Sequence, residues 1–205
     1  MYKLFIHYLI FIVFAFSEDF INLKKNITSL LNSTYITVFN DIIVVATEGG
    51  IYSYSNAFVN HSDQLQGYNL STIAINDNYL WIGNNNDGII QILNRDMMTH
   101  NIIDYITIGD IYDISFSNKY AFILAKSKYS VDEFNLIQYN NEDLDNPYYL
   151  STILNIPNNP IDIEVLNEKL YIATNSGLKI LNQLDNIILY NDWSIELENL
   201  SITKL

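Results

Sequence analysis

The 205-residue sequence has no cysteine, only three histidines, and ten basic residues against 23 acidic ones. Without cysteine, the chain cannot form a disulfide, a thiolate metal site or a lipid-modified cysteine. The formal net charge of −13 argues against nucleic acid as a partner, because phosphate binding needs clustered lysine and arginine, and the basic residues here are scattered. What the sequence does have is 49% hydrophobic and 14% aromatic residues, which predicts a folded chain with a sizeable core.

The first 17 residues have the pattern of a signal peptide. A short cationic start that includes Lys3 is followed by an apolar run over residues 4–16. Residues 15–17 (Ala-Phe-Ser) then give the small-x-small form of a signal-peptidase site. The apolar run is short for a bilayer span, so we predict cleavage and export, with an uncleaved anchor as the alternative. No second long apolar stretch follows, and we therefore expect no membrane span in the mature chain.

A strand-turn-strand pattern recurs four times along the chain. In each copy, a strand of alternating apolar and polar residues leads through a turn with Asn, Asp or Lys into a buried strand that ends in a small residue. Another strand follows, and in three copies it begins with glycine. The small residues that align the copies lie 37, 42 and 48 residues apart, at Ala46, Gly83, Ala125 and Ala173. A period of about 40 with several short strands per unit is typical of β-propeller blades. We predict an all-β fold, a β-propeller of about four blades with four antiparallel strands each, plus the first strand of a fifth.

The repeats also predict the domain organisation. A lead-in at 18–34 precedes a propeller domain at 35–205, with blades at about 35–70, 71–110, 111–160 and 161–198 and a partial fifth at 199–205. First strands alternate polar and apolar residues, as half-buried strands do, whereas second strands are nearly all apolar, which indicates cover on both faces. Because residues 200–205 repeat the opening strand of a blade, we interpret the chain as part of a larger propeller. A closed four-bladed ring, completed by N-terminal residues, is the alternative.

Six residues define the structural motif of the repeat: Gly50, Trp81, Gly83, Gly88, Tyr171 and Gly177. The glycines at 50, 88 and 177 are predicted to open hairpins at positive φ, which glycine adopts without steric cost. Gly83 and the alanines at its position in the other copies mark either a close approach of neighbouring sheets or simple tolerance of a small side chain. Trp81 and Tyr171 are interpreted as core between blades rather than as platforms for stacking sugars.

The sequence offers little for catalysis or metal binding. Beyond the signal only His61 and His100 remain, and neither lies near a patterned carboxylate or nucleophile. Asp113, Asp162 and Glu164 lie on first strands, which line the channel of a propeller. They form either an acidic ring that holds a cation or, more simply, solvated strand faces. We expect no catalytic, cofactor-binding or metal-binding residue, and we predict that the protein is not an enzyme.

Two segments resemble known families. Residues 44–54 (Val-Val-Ala-Thr-Glu-Gly-Gly-Ile-Tyr-Ser-Tyr) resemble the opening blade of PorZ-type proteins of the type IX secretion system. Residues 80–83 (Leu-Trp-Ile-Gly) resemble the two-component-regulator propeller repeat, although Asn84 stands where that repeat has threonine. The PorZ resemblance implies a non-catalytic scaffold in the periplasm, at the outer-membrane surface or outside the cell.

The same resemblance implies protein partners in an export or surface complex, and anionic lipopolysaccharide or another glycan as ligand. Two alternatives follow from the predicted fold. One is the sensor ectodomain of a hybrid two-component regulator, and the other is an exported propeller lyase or hydrolase.

Overall fold

The computed structural model describes residues 32–205, apart from 56–57, 62–68, 86–87, 95, 98, 105–107, 131, 144–146, 155, 157–158, 183, 186 and 188–192. The predicted signal and most of the lead-in lie outside the described residues, as does the side chain of His61. Within the described ranges, no helix is both long enough and apolar enough to cross a membrane.

The described residues form 16 strands in four sheets of four, and within each sheet every strand pairs antiparallel with the next one along the chain. We call these sheets blades 1 to 4. Blade 1 contains β1 (Ser33–Phe39), β2 (Ile42–Thr47), β3 (Gly50–Ser55) and β4 (Phe58–His61). Blade 2 contains β5 (Leu70–Asn76), β6 (Tyr79–Asn84), β7 (Ile89–Leu93) and β8 (Thr99–Asp104). Blade 3 contains β9 (Ile108–Phe116), β10 (Tyr120–Ser127), β11 (Phe134–Asn140) and β12 (Tyr148–Ile153). Blade 4 contains β13 (Pro160–Leu166), β14 (Lys169–Thr174), β15 (Gly177–Leu181) and β16 (Ser194–Glu196). The predicted all-β organisation is confirmed.

Neighbouring blades are joined through hydrophobic clusters and through their first strands. β1 contacts β5, β5 contacts β9, and β9 contacts β13. β6 contributes to two clusters, because Leu80 and Ile82 pack with blade 1 whereas Trp81 packs with blade 3. Successive residues of a strand point to opposite faces, so a strand covered on both sides must be apolar throughout. This explains why the second strands are continuous hydrophobic runs in the sequence.

The turns use residues that tolerate positive φ. Asn40 and Asp41, between β1 and β2, have φ angles of 49° and 64°, and Asn167 and Glu168, between β13 and β14, have 52° and 57°. Two consecutive positive φ angles belong to type I′ hairpins, whose twist matches that of the paired strands. Positive φ angles of 135°, 65° and 138° also occur at Gly50, Gly88 and Gly177. These turn residues therefore meet a backbone requirement.

Residues 200–205 form no strand, but they lie where the first strand of a further blade would run. Leu205 N donates a hydrogen bond to Asp162 Oδ2 at 2.6 Å. The same bond joins blades 3 and 4, where Ile163 N donates to Asp113 Oδ2 at 3.0 Å. Leu205 therefore lies next to β13 in the same way that Ile163 of β13 lies next to β9. The segment is not a strand because no described residue pairs with it as a second strand of the same sheet.

Gly83 lies at a close approach of blades 2 and 3. A Cβ atom at this position would lie 2.6 Å from Ile111 Cγ2 and 2.8 Å from Thr72 Cγ2. Both separations are well below the contact distance of two carbon atoms, so Gly83→Ala must push a side chain or a strand aside. We expect this substitution to lower the free energy of unfolding by about 1–3 kcal/mol in urea denaturation followed by circular dichroism.

Gly109→Ala is the matched control for this prediction. The heavy atom nearest to a Cβ at Gly109 is Lys128 Cα at 3.6 Å, which is an ordinary contact. An equal loss of stability in both alanine variants would show that the close approach of blades 2 and 3 is not the reason why position 83 needs glycine.

Candidate functional site

The first strands of all four blades and the C-terminal residues line one central cleft of about 350 Å³. Among the described residues, its polar side chains come from blades 1, 3 and 4 and from the segment that follows blade 4, whereas blade 2 contributes the apolar residues 73–75. These polar side chains are Tyr35, Thr37, Asp113, Ser115, Asp162, Glu164 and Lys204. Three carboxylates and a single lysine among these side chains make the cleft acidic.

Asp113 bonds within its own strand, β9, and to the two neighbouring first strands, β5 and β13. Its Oδ1 accepts a hydrogen bond from Ile114 N at 2.9 Å and from Thr72 Oγ1 of β5 at 3.4 Å. Its Oδ2 accepts from Ile163 N of β13 at 3.0 Å. Both carboxylate oxygens are therefore occupied by bonds that connect blades 2, 3 and 4.

Two further side chains connect first strands in the same way. Ser115 Oγ, two residues beyond Asp113, accepts from Val165 N of β13 at 2.9 Å. Thr34 Oγ1 of β1 donates to Leu70 O of β5 at 2.7 Å. Because first strands of adjacent blades do not form a common sheet, side-chain bonds of this kind satisfy backbone groups of the adjacent first strand.

The Asp113 carboxyl is strongly perturbed. Burial, a hydrogen bond with Asp162 and the charge of Asp162 together raise its pKa from 3.8 to about 7, although the N–H groups of Ile163 and Ile114 oppose the shift. Burial also raises the pKa of Glu164, and Asp162 adds to that effect. The cleft therefore favours a protonated Asp113 beside a second carboxylate.

Tyr35 and Lys204 face each other across the cleft. Lys204 Nζ lies 5.4 Å from the centre of the Tyr35 ring, within the range of a cation–π contact. Burial and the charge of Asp113 raise the pKa of the Tyr35 hydroxyl, whereas Lys204 lowers it. The C-terminal segment thus brings the one lysine among the described lining residues to the acidic cleft.

The acidic side chains are not arranged as a metal site. Among the described residues, no group of three or more His, Asp or Glu side chains is placed to hold a metal ion. Solvated strand faces, the simpler sequence interpretation, do not describe Asp113 either, since its carboxylate is largely withdrawn from solvent and bonded on both oxygens.

Solved structures provide the comparison with known proteins. PorZ, a bacterial surface component of the type IX secretion system of Porphyromonas gingivalis, superposes with a TM-score of 0.60 at 10% identity, over 84% of this chain and 29% of PorZ. The WD40 domain of Neurospora crassa Pan2 superposes with a TM-score of 0.56 at 12% identity, over 80% of this chain and 48% of that domain. The chain has a β-propeller fold.

A third propeller match is the extracellular domain of the hybrid two-component system BT4673 of B. thetaiotaomicron. It has a TM-score of 0.53 at 13% identity, over 73% of this chain and 20% of that one. The chain therefore spans less than half the length of each of these three proteins. At such identities the likeness establishes the fold and nothing further. No family model and no curated protein matches the sequence.

The motif residues of the propeller lie away from the central cleft. Trp81 is fully buried between blades 2 and 3, where its ring meets Phe116 edge to face with centroids 5.3 Å apart. Tyr171 is half-buried on β14. His100, on the outer strand β8, packs against the Tyr79 ring with centroids 4.8 Å apart. The structure does not bring these side chains together into one site.

Sequence reasoning missed that Tyr35, Thr72, Asp113 and Asp162 occupy equivalent places on the four first strands. A signal was available in the spacing to the aligned small residue. The polar residue lies 11 positions before it in blades 1, 2 and 4, and 12 positions before it in blade 3. The extra residue matches the register shift between Leu124 and Ala125 in the pairing of β9 with β10.

Proposed function

We propose that this protein is a non-catalytic, exported β-propeller scaffold that binds protein or glycan partners at a bacterial cell surface. The observation that carries the proposal is the bonding of Asp113, whose two carboxylate oxygens accept hydrogen bonds from Ile114, Thr72 and Ile163. A catalytic carboxylate needs a free oxygen within reach of a substrate proton or carbon. The most perturbed acid of the cleft instead connects three blades.

The signal-peptide pattern at residues 1–17 supports export. The propeller fold is also found in proteins described as surface or extracellular, namely PorZ and the extracellular domain of BT4673. We therefore propose a location in the periplasm, at the outer-membrane surface or outside the cell.

The charge of the chain restricts its partners. A net charge of −13 repels anionic glycans from most of the surface, including the anionic lipopolysaccharide that the PorZ resemblance implies. An anionic substituent would be accepted where β10 ends, because Lys126 on β10 and Lys128 in the turn that follows line a cleft of about 290 Å³, with Asp110 as the one acidic residue among its described lining residues. Neutral glycans and basic protein surfaces fit the remainder of the chain better.

Export and binding are tested together with the full chain. Expressed in a Bacteroidota host, it should reach the periplasm or the cell surface and bind a panel of neutral and phosphorylated bacterial glycans, or a surface protein, without consuming the ligand. The double variant Leu9→Arg and Ile12→Arg, which interrupts the apolar run, should stay in the cytoplasm. Export of this variant would refute the signal, and turnover of a glycan that Asp113→Asn abolishes would refute the non-catalytic role.

A sensor ectodomain is the second candidate, favoured by the fold shared with the extracellular domain of BT4673. Reading the gene beyond codon 205 separates the two. A membrane span followed by a kinase would support the sensor, whereas further propeller followed by a sorting domain would support the scaffold.

A further inference from the structure

A second cleft lies between blades 2 and 3, where β5 and β9 begin. It has a volume of about 400 Å³ and is separate from the central cleft. The described residues of its lining are mainly polar: Asn69, Ser71, Asn85, Asp110, Ile111 and Tyr112. A cavity of this size is within the range of small-molecule sites, which usually carry a few polar groups that fix the ligand.

Two buried polar atoms of the lining residues lack hydrogen-bond partners. They are Asn69 Oδ1 and Ser71 Oγ. Buried polar groups are normally paired, so two exceptions at one cleft indicate a missing partner.

Asn84 precedes the lining residue Asn85, but its side chain is on the other face of β6, the face that Leu80 and Ile82 turn toward blade 1, so it does not line the cleft. It also differs from the corresponding threonines of blades 1 and 4. Thr47 Oγ1 donates to Gly50 O at 2.8 Å and accepts from Gly49 N at 3.1 Å. Thr174 Oγ1 donates to Gly177 O at 2.7 Å and accepts from Ser176 N at 3.2 Å. Asn84 stands at the same place in blade 2 and forms neither bond. Its turn to β7 is also longer than the two-residue turns of blades 1 and 4.

The walls of the cleft are held in place from three sides. Asn85 N donates to Asn69 O at 2.8 Å, which ties the two wall segments of blade 2 together. Ile111 packs against the close approach at Gly83, as described above, and so fixes blade 3 against blade 2. The Tyr112 ring, 38% exposed, meets Phe134 edge to face with centroids 5.2 Å apart. The lining is thus formed before any ligand enters.

The chemistry of the lining selects one class of ligand. No lysine, arginine or histidine is among the described residues that line it, so an anion would find no countercharge. Asp110 is the one carboxylate among them, too few for a hard divalent cation. Apolar ligands would leave the amide and hydroxyl oxygens unpaired. Sugar hydroxyls both donate and accept, which matches amide, hydroxyl and carboxylate groups side by side.

We propose that the cleft lined by Asn69, Ser71, Asn85 and Asp110 binds a neutral sugar unit. Its hydroxyl groups supply the partners that Asn69 Oδ1 and Ser71 Oγ lack, and Tyr112 offers a ring edge or face to its C–H groups. The inference rests on the proposed glycan-binding role and specifies it, because it names the site and the charge class of the ligand.

Saturation-transfer NMR with the full chain and the methyl glycosides of glucose, galactose, mannose and N-acetylglucosamine tests the proposal. At least one glycoside should bind. Ser71→Ala and Asp110→Ala should each weaken its affinity about tenfold or more, since each removes a ligand hydrogen bond. Ser71→Ala should not lower the melting temperature, because the hydroxyl it removes is unpaired in the ligand-free protein.

Ser176→Ala is the matched control, since it removes a serine hydroxyl from the β14–β15 turn of blade 4. It should leave the affinity unchanged. A glycoside that binds equally well to the Ser71, Asp110 and Ser176 variants would show that the sugar binds elsewhere. This result would overturn the assignment of the sugar site to this cleft, whereas the glycan-binding role would stand. If none of the four glycosides binds, the neutral-sugar site is wrong, and export and protein binding remain as separate tests of the proposed function.

Discussion

Replacing Trp81 with alanine is expected to lower the free energy of unfolding by about 3–5 kcal/mol. Trp81 is fully buried in the cluster that joins blades 2 and 3, and it contacts Phe116 across the junction. β6 is held by strand pairing on both sides, so the fold cannot collapse into the space left by the indole. Chemical denaturation followed by far-ultraviolet circular dichroism measures the effect. A loss below about 1 kcal/mol would mean that the junction repacks freely.

Trp81→Phe separates packing from hydrogen bonding at the same position. Trp81 Nε1 is buried without a hydrogen-bond partner, and an unpaired buried donor is worth about 1–3 kcal/mol of destabilisation. Phenylalanine removes this donor and keeps a ring that can meet Phe116. We therefore expect Trp81→Phe to be clearly more stable than Trp81→Ala. Equal stability of the two variants would contradict the assignment of the loss to the cavity.

Local rules in the sequence were sufficient to predict the blades. The alternation of the first strands, the continuous apolar second strands and the Asn, Asp and Gly turns each follow from the backbone geometry of one sheet. Positive φ at Asn40 and Asp41, for example, is a property of a two-residue hairpin and requires no knowledge of neighbouring blades. The repeat period then assembled these local units into the correct fold class.

Contacts between blades could not be predicted in the same way. Asp113 bonds to residues 41 and 50 positions away, and an aspartate at an alternating strand position has the same local pattern whether it faces solvent or a neighbouring strand. Leu205 reaches Asp162 across 43 positions. For Asn84 the sequence showed only that a threonine of the repeat was replaced. The loss of both turn hydrogen bonds became visible when Thr47 and Thr174 could be compared with it in space.

Stability is expected to fall as the pH rises from about 4 to about 7, because of Asp113. Its pKa is 3.8 in the unfolded reference and about 7 in the folded protein, so between these values the folded state holds a proton that the unfolded state has lost. The stabilisation from this group is complete below about pH 4 and is lost as the pH passes through about 7. At 1.36 kcal/mol per pKa unit, the span corresponds to about 4 kcal/mol. Urea denaturation at pH steps between 4 and 8 measures the slope.

Asp113→Asn should flatten this slope, because an amide carries no titratable proton in that range. The asparagine can still accept from Ile114 N or from Ile163 N through its one carbonyl oxygen, but not from both, so its stability at low pH should lie below that of the parent protein. Asp132→Asn, which removes an exposed carboxylate, should keep the parental slope. The two variants together distinguish the buried group from the general effect of negative charge. If Asp113→Asn titrates like the parent protein, the proton is held elsewhere in the cleft, with Glu164, whose pKa burial also raises, as the group to replace next.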